Sequence, residues 1–166
     1  MNEEDVQYGV TDDYFDAVMV SDGVAVRMSD NVAAILATMT YRLLQLLEGG
    51  VVEDGGRFRR GRAAEAILRD MFPDVYRDRA QSRSFRERHA GMLRDSAPVR
   101  RVHARVVAGA THVIDHAEVD DWIITLGLGQ FLYTRRSALR PGEIGLWTSH
   151  MQAALAAAVN PRLSEL

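Results

Sequence analysis

The run IDHAEVDDWIITLGLGQFLYTRR, Ile114 to Arg136, gathers acids, a histidine, a tryptophan and two glycines into one stretch. Whether it is a reactive site or a capped core helix decides how the rest of the chain reads. Asp115 stands where the apolar periodicity begins, and Glu118 follows three residues later. At that spacing each carboxylate reaches a free backbone N–H of the first turn, an arrangement worth about 1 kcal/mol. Ile114 and Val119 flank the cap as a hydrophobic staple. Asp120 and Asp121 are favoured by the positive end of the helix dipole, and Arg135 and Arg136 by its negative end. Trp122, Ile123, Leu126, Gly129, Leu132 and Tyr133 trace an apolar band. Gly127 and Gly129 each cost about 1 kcal/mol against alanine inside a helix, a cost that a close approach by another helix offsets. The run therefore reads as a core helix.

Working outward, DHAEVDDWIITLGLGQFLYTRRSAL is preceded by SAPVRRVHARVVAGA, in which Ser96 is the expected N-cap and Pro98 lies in the first turn. SRSFRERHAGMLRD places Ser84 three residues before Glu87, the spacing of a capping box. The pattern leaves open whether these two segments form one bent helix or two. RAAEAILRDMFPDVYRD gives a short helix through Ala63, Ala66, Ile67 and Phe72, ended by Pro73. SDNVAAILATMTYRLLQLLEGG is a longer helix. Ser29 or Asp30 caps it, Val32, Ile35, Leu36, Met39, Leu43, Leu46 and Leu47 form its apolar stripe, and Gly49-Gly50 stops it.

Before that helix, two β-branched stretches, Phe15–Val20 and Val24–Met28, flank Asp22-Gly23, a dipeptide suited to a type I′ turn. Such a hairpin is marginal alone and has to lie on helices or pair with a second copy. After the long run, RPGEIGLWTSHMQAALAAAVNP is a Pro-Gly break followed by an Ala-rich helix. The expected fold is mainly α, a single helical domain of five or six helices with an N-terminal β-hairpin. Its expected extent is residues 13–160, with a mobile acidic N-terminus over 1–12, a flexible Gly/Arg loop over about 49–62 and a tail over 161–166.

Composition narrows the function classes. A chain of 166 residues buries roughly two-thirds of its unfolded surface without staples. There is no cysteine, which removes disulfides, thiolate metal sites and cysteine nucleophiles and suits a cytoplasmic protein. No secretory leader pattern opens the chain, and its apolar runs fall short of the about 20 residues a membrane span needs. All 20 basic side chains are arginine. The net charge of −3 is unevenly laid out: residues 1–22 hold seven acids and no arginine, while residues 57–105 hold fourteen arginines against six acids. Such asymmetry marks either a face for an anionic partner or solvated helix faces beside an acidic tail.

Motifs for chemistry are sparse. His112, Asp115, His116 and Glu118 offer nitrogen and carboxylate donors, but a helix break near Val113 puts His112 off the face, and neither HExxH nor paired ExxH occurs. GLG lacks the preceding strand and third glycine of a dinucleotide fingerprint. There is no GxSxG elbow. No catalytic, cofactor-binding or metal residues are assigned, and no cofactor is expected.

MFPDVYRD, SFRERHAGMLRD, VIDHAEVDDWIITL and YTRR together resemble the actinobacterial domain-of-unknown-function family DUF2017, over roughly Val24 to Arg136. The matching positions are Phe72, Pro73, Asp74, Tyr76, Phe85, Arg86, Leu93, Arg94, Asp115, Trp122, Leu126 and Arg136. The resemblance implies a small soluble protein, often encoded beside the Clp-protease adaptor, and hence a tie to regulated proteolysis. It carries no catalytic residues. Gly127, Leu128 and Gln130 depart from the polar residues and arginine that the family tends to show after the tryptophan, and the part after Arg140 reads as an extension.

Three function classes follow. The first is a non-catalytic regulatory or protein–protein interaction protein, with a protein partner or itself as a homodimer; its candidate residues are Asp74, Tyr76, Arg86, Arg94, Trp122 and Arg136. The second is a small-ligand binder or enzyme with a pocket between the Trp122 helix and the Arg86/Arg94 helix. The third is a nucleic-acid-binding regulator using the loop arginines Arg57, Arg59, Arg60 and Arg62 with Arg100, Arg101 and Arg105. The acidic net charge and the absence of a helix-turn-helix weigh against it, and no membrane association is expected.

Overall fold

The computed structural model describes residues 13–51, 60–133 and 141–160. Its elements run β1 (Phe15–Val20), β2 (Gly23–Met28), α1 (Asp30–Gly49), α2 (Arg60–Met71), α3 (Arg79–Arg88), α4 (Ala90–Leu93), α5 (Ala97–Ala108), β3 (Thr111–Ile114), α6 (His116–Tyr133) and α7 (Pro141–Val159). Six of the described helices reach ten residues or more, and α4 is a single turn. The mainly α fold with an N-terminal hairpin is the one the patterning predicts.

The hairpin gains a strand that the patterning does not predict. β3 pairs antiparallel with β2, so the sheet order is β1-β2-β3 with β2 in the centre. Val20 pairs with Gly23, which leaves Ser21-Asp22 as the two-residue turn and puts Gly23 inside the strand rather than in the turn. Gly23 is needed there for space: at φ 145° a Cβ would stand 2.1 Å from the Ile114 carbonyl oxygen. Phe15, Val24, Val26, Met28 and Ile114 point inward, and Val18, Ala25 and Val113 form a row in register on the outward face.

Ser29 caps α1 by accepting from the Val32 N–H, and Asp13 accepts in turn from the Ser29 hydroxyl. Gly50, at φ 62°, ends the helix with a left-handed cap, its N–H donating to Leu46 O, and the Val51 N–H donates to Gln45 O. The apolar stripe of α1 divides two clusters. Leu36 and Met39 meet Val26, Trp122, Leu126, Met151 and Leu155 beneath the sheet. Leu43, Leu46 and Leu47 meet Ala64, Ile67 and Met71 of α2 and Val99 of α5. Each fully buried leucine contributes about 1.5–3 kcal/mol. Ile35, expected in the stripe, is exposed.

Other boundaries also move. α2 starts at Arg60, so the last positions of the expected 49–62 loop are helical; Gly49 likewise closes α1, and residues 52–59 lie outside the described residues. The segments after Pro73 are separate helices. α3 is capped by Asp78, whose Oδ1 accepts from the Ala80 N–H at 2.8 Å, so it begins five residues before Ser84, which sits mid-helix. Ser96 is the N-cap position of α5 but makes no side-chain cap bond; Asp95 accepts from the Ala97 N–H instead. Pro141 opens α7 rather than breaking a helix. The expected N-terminal segment 1–12 and tail 161–166 lie outside the described residues.

Candidate functional site

The charged residues around Trp122 resolve into helix caps and ties. The Glu118 N–H donates to Asp115 Oδ1 at 2.8 Å, and the Asp115 N–H donates to Glu118 Oε2 at 3.1 Å, the reciprocal cap read from the spacing. Glu118 also accepts from Arg105 of α5, at 2.8 Å from Nε. One turn along α6, the buried Asp121 accepts two parallel bonds from Arg101, at 2.6 and 2.8 Å. Arg100 donates to Glu48 at the end of α1 at 2.7 Å. That bond, with a second from Ser96, holds the Glu48 carboxyl below its ordinary value. The bond to Asp121 raises the Arg101 pKa, as the bond to Glu48 raises that of Arg100. Three arginines of α5 thus tie it to its neighbours, Arg100 to α1 and Arg101 and Arg105 to α6. His103, next on that helix, lies with Nδ1 2.8 Å from the buried Thr40 hydroxyl of α1.

The metal reading of His112, Asp115, His116 and Glu118 finds other partners for three of them. His112 Nε2 donates to the Gly109 carbonyl at 2.7 Å, and Asp115 and Glu118 are engaged in the cap. Among the described residues no three His, Asp or Glu side chains are grouped to hold a metal ion. Trp122 is 1 % exposed, its ring 6.3 Å from that of Phe15. It belongs to the core.

The MFPDVYRD segment folds into a turn clamped onto α3. Arg86 donates to Asp74. The Ser82 hydroxyl accepts from the Tyr76 N–H at 3.0 Å and donates to the Tyr76 carbonyl at 2.9 Å. The Tyr76 ring meets Phe85 edge-on, and Phe85 packs against the His89 ring at a tilt, their centroids 4.4 Å apart. Arg86 and Asp74 are both partly exposed, so the pair is a surface clamp rather than a buried salt bridge.

Beside this clamp α2 and α3–α4 enclose an open groove of about 360 Å³. Its floor is apolar: Leu68 and Phe72, one turn apart on the α2 side, face Ala90 and Leu93 of α4. Arg69, Arg83, Arg86 and Arg94 rim it, with Glu65 and Glu87 between them. Of the four arginines only Arg86 holds an ion pair among the described residues. Arg94 also lies close to the end of α1, where a Cβ on Gly50 would stand 3.6 Å from its Nη2.

A family model described as Domain of unknown function (DUF2017) matches residues 15–128. The chain belongs to the DUF2017 family. The match takes in the hairpin, the cap, the α5 ties and the groove, whereas α7 lies beyond it. No curated protein and no solved structure matches the chain.

Of the positions singled out in this DUF2017 chain, Asp74, Tyr76 and Arg86 come together in the clamp, and Arg86 and Arg94 share the groove. The expected pocket between the Trp122 helix and the Arg86/Arg94 helix is corrected on one side: the wall opposite Arg86 and Arg94 is α2, because Trp122 turns inward under the sheet. Arg57, Arg59 and Arg136 lie outside the described residues, and Arg60 and Arg62 fall in the first turn of α2. Sequence reasoning missed Leu68, Arg69 and Arg83 as groove residues. Their signal was the arginine excess over 57–105, which names a region but not a face.

Proposed function

We propose that this chain is a non-catalytic interaction protein, a regulatory partner that works by binding another polypeptide through its helical surface. One observation supports this reading above others. The acids and arginines that suggest chemistry around Trp122 are engaged in tying α5, α6 and α1 to one another, while an apolar groove rimmed by arginine stands open between α2 and α3–α4. Nucleic-acid binding loses part of its motive, since Arg100, Arg101 and Arg105 are committed to carboxylates of the same chain. Among the described residues no helix is long and apolar enough to cross a membrane.

The test is cross-linking of the full chain in its own cells followed by reconstitution from purified components. The expected result is a protein partner that binds the chain directly at defined stoichiometry. Turnover or tight binding of a small metabolite without any direct protein partner contradicts the reading. The gene neighbourhood that the family resemblance implies makes regulated proteolysis the first pathway to assay.

Self-association is a second reading, supported by the outward row of Val18, Ala25 and Val113 across three strands. Sedimentation of the chain beside Val18→Glu tests it. A dimer that the substitution dissociates supports it, and a monomer at high concentration rules it out.

A further inference from the structure

We infer that the groove between α2 and α3–α4 receives a short acidic, amphipathic peptide segment of a partner protein, an inference that rests on the interaction reading above. The floor of Leu68, Phe72 and Leu93 is half-buried, and Leu68 and Phe72 extend the second core cluster toward the surface, so it accepts an apolar side chain. Leu68 and Phe72 are four residues apart, a rise of about 6 Å along α2. That matches the spacing of apolar side chains one turn apart on a bound helix.

The rim selects charge. Arg69, Arg83 and Arg94 are exposed and hold no ion pair among the described residues, so their guanidinium forks are open to carboxylates from the segment's polar face. A polyanion such as nucleic acid is less suited. The apolar floor of Leu68, Phe72 and Leu93 takes an apolar side chain and offers nothing to a phosphate backbone. A compact metabolite is also less suited, because pockets for such ligands bury most of the ligand's surface whereas this groove is open.

The experiment selects a phage-displayed library of twelve-residue peptides, rich in Asp, Glu, Leu and Phe at randomised positions, on the full chain. Fluorescence anisotropy then measures the selected peptides on four proteins: wild type, Arg83→Glu/Arg94→Glu, Ala90→Trp and Arg77→Glu/Arg79→Glu. The first variant reverses rim charge, the second fills the groove from an exposed position without changing charge, and the third makes the same charge change outside the groove. Circular dichroism confirms that each is folded.

The inference expects acidic peptides with apolar residues one turn apart. Their affinity falls at least tenfold on the first two variants and stays within twofold on the third. No enrichment, undiminished binding to the groove variants, or an equal loss on all three overturns it, as does equal binding of a twelve-nucleotide DNA strand. If the partner found by cross-linking binds Arg83→Glu/Arg94→Glu as well as wild type, the interaction reading stands and the groove assignment falls.

Discussion

At Gly129 a missing Cβ decides how two helices meet. A Cβ there would stand 2.3 Å from Met39 Sδ on α1, and Met39 is fully buried. Gly129→Ala gains about 1 kcal/mol of helix propensity but overpacks the contact, at a cost of about 1–3 kcal/mol. The expected outcome is a net loss in urea unfolding that shrinks when Met39→Ala makes room; equal losses in both backgrounds contradict the contact. The need for a close approach was legible in the sequence, since a glycine inside a helix is costly. Its partner was not, because nothing local links position 129 to 39. Asp121 shows the same limit. Near a helix N-terminus it was already satisfied by the dipole argument, and Arg101, twenty residues earlier, carries no mark of its pairing. Arg86 pairs with Asp74, twelve residues earlier, at a partly exposed position.

Elements were legible where their signal is internal. The Asp115/Glu118 cap, the Ser29 cap and the Gly50 stop each follow from residues within one turn, and each stands where the pattern put it. β3 was not legible. Four residues, Thr111–Ile114, are too few for alternation to show, and they follow Gly109 closely enough to read as a loop. The start of α3 was misread because Ser84 and Glu87 imitate a capping box inside a helix that Asp78 already caps. The α6 cap gives an element-scale prediction. Glu118→Ala removes the bond to the Asp115 N–H and the tie to Arg105 together, and should cost about 1–2 kcal/mol in urea unfolding. Glu118→Gln keeps an acceptor for the cap and should cost less. Two variants of equal and near-wild-type stability would show that neither bond matters.

Across the whole molecule, fold class was readable because periodicity and caps agree along the chain, while the groove was not, because it is made by the packing of three short helices. Global stability has a pH signature at both ends. The folded value of the Glu48 carboxyl lies below its ordinary 4.5, so its contribution is in place above that value and is lost as pH falls through the lower folded one. Burial raises the Tyr133 phenol above its ordinary 10.0, partly offset by Arg42. Its neutral form therefore supports the fold up to that value, and the support is lost as pH rises through the higher folded one. In unfolding across a pH series, Glu48→Gln should differ from wild type at neutral pH and converge with it in acid. Tyr133→Phe should escape part of the alkaline loss. Parallel profiles for all three proteins would deny both shifts.

The acids beside Trp122 are proposed to hold helices together rather than to act on a molecule. A double-mutant cycle in urea unfolding measures this directly, using Arg101→Met, Asp121→Leu and the pair. Arg101→Met leaves a buried carboxylate without its bidentate partner and should cost about 1–3 kcal/mol; the double variant should lose less than the two singles combined, with a coupling of about 0.5–3 kcal/mol. A coupling near zero, with both single variants as stable as wild type, would contradict it.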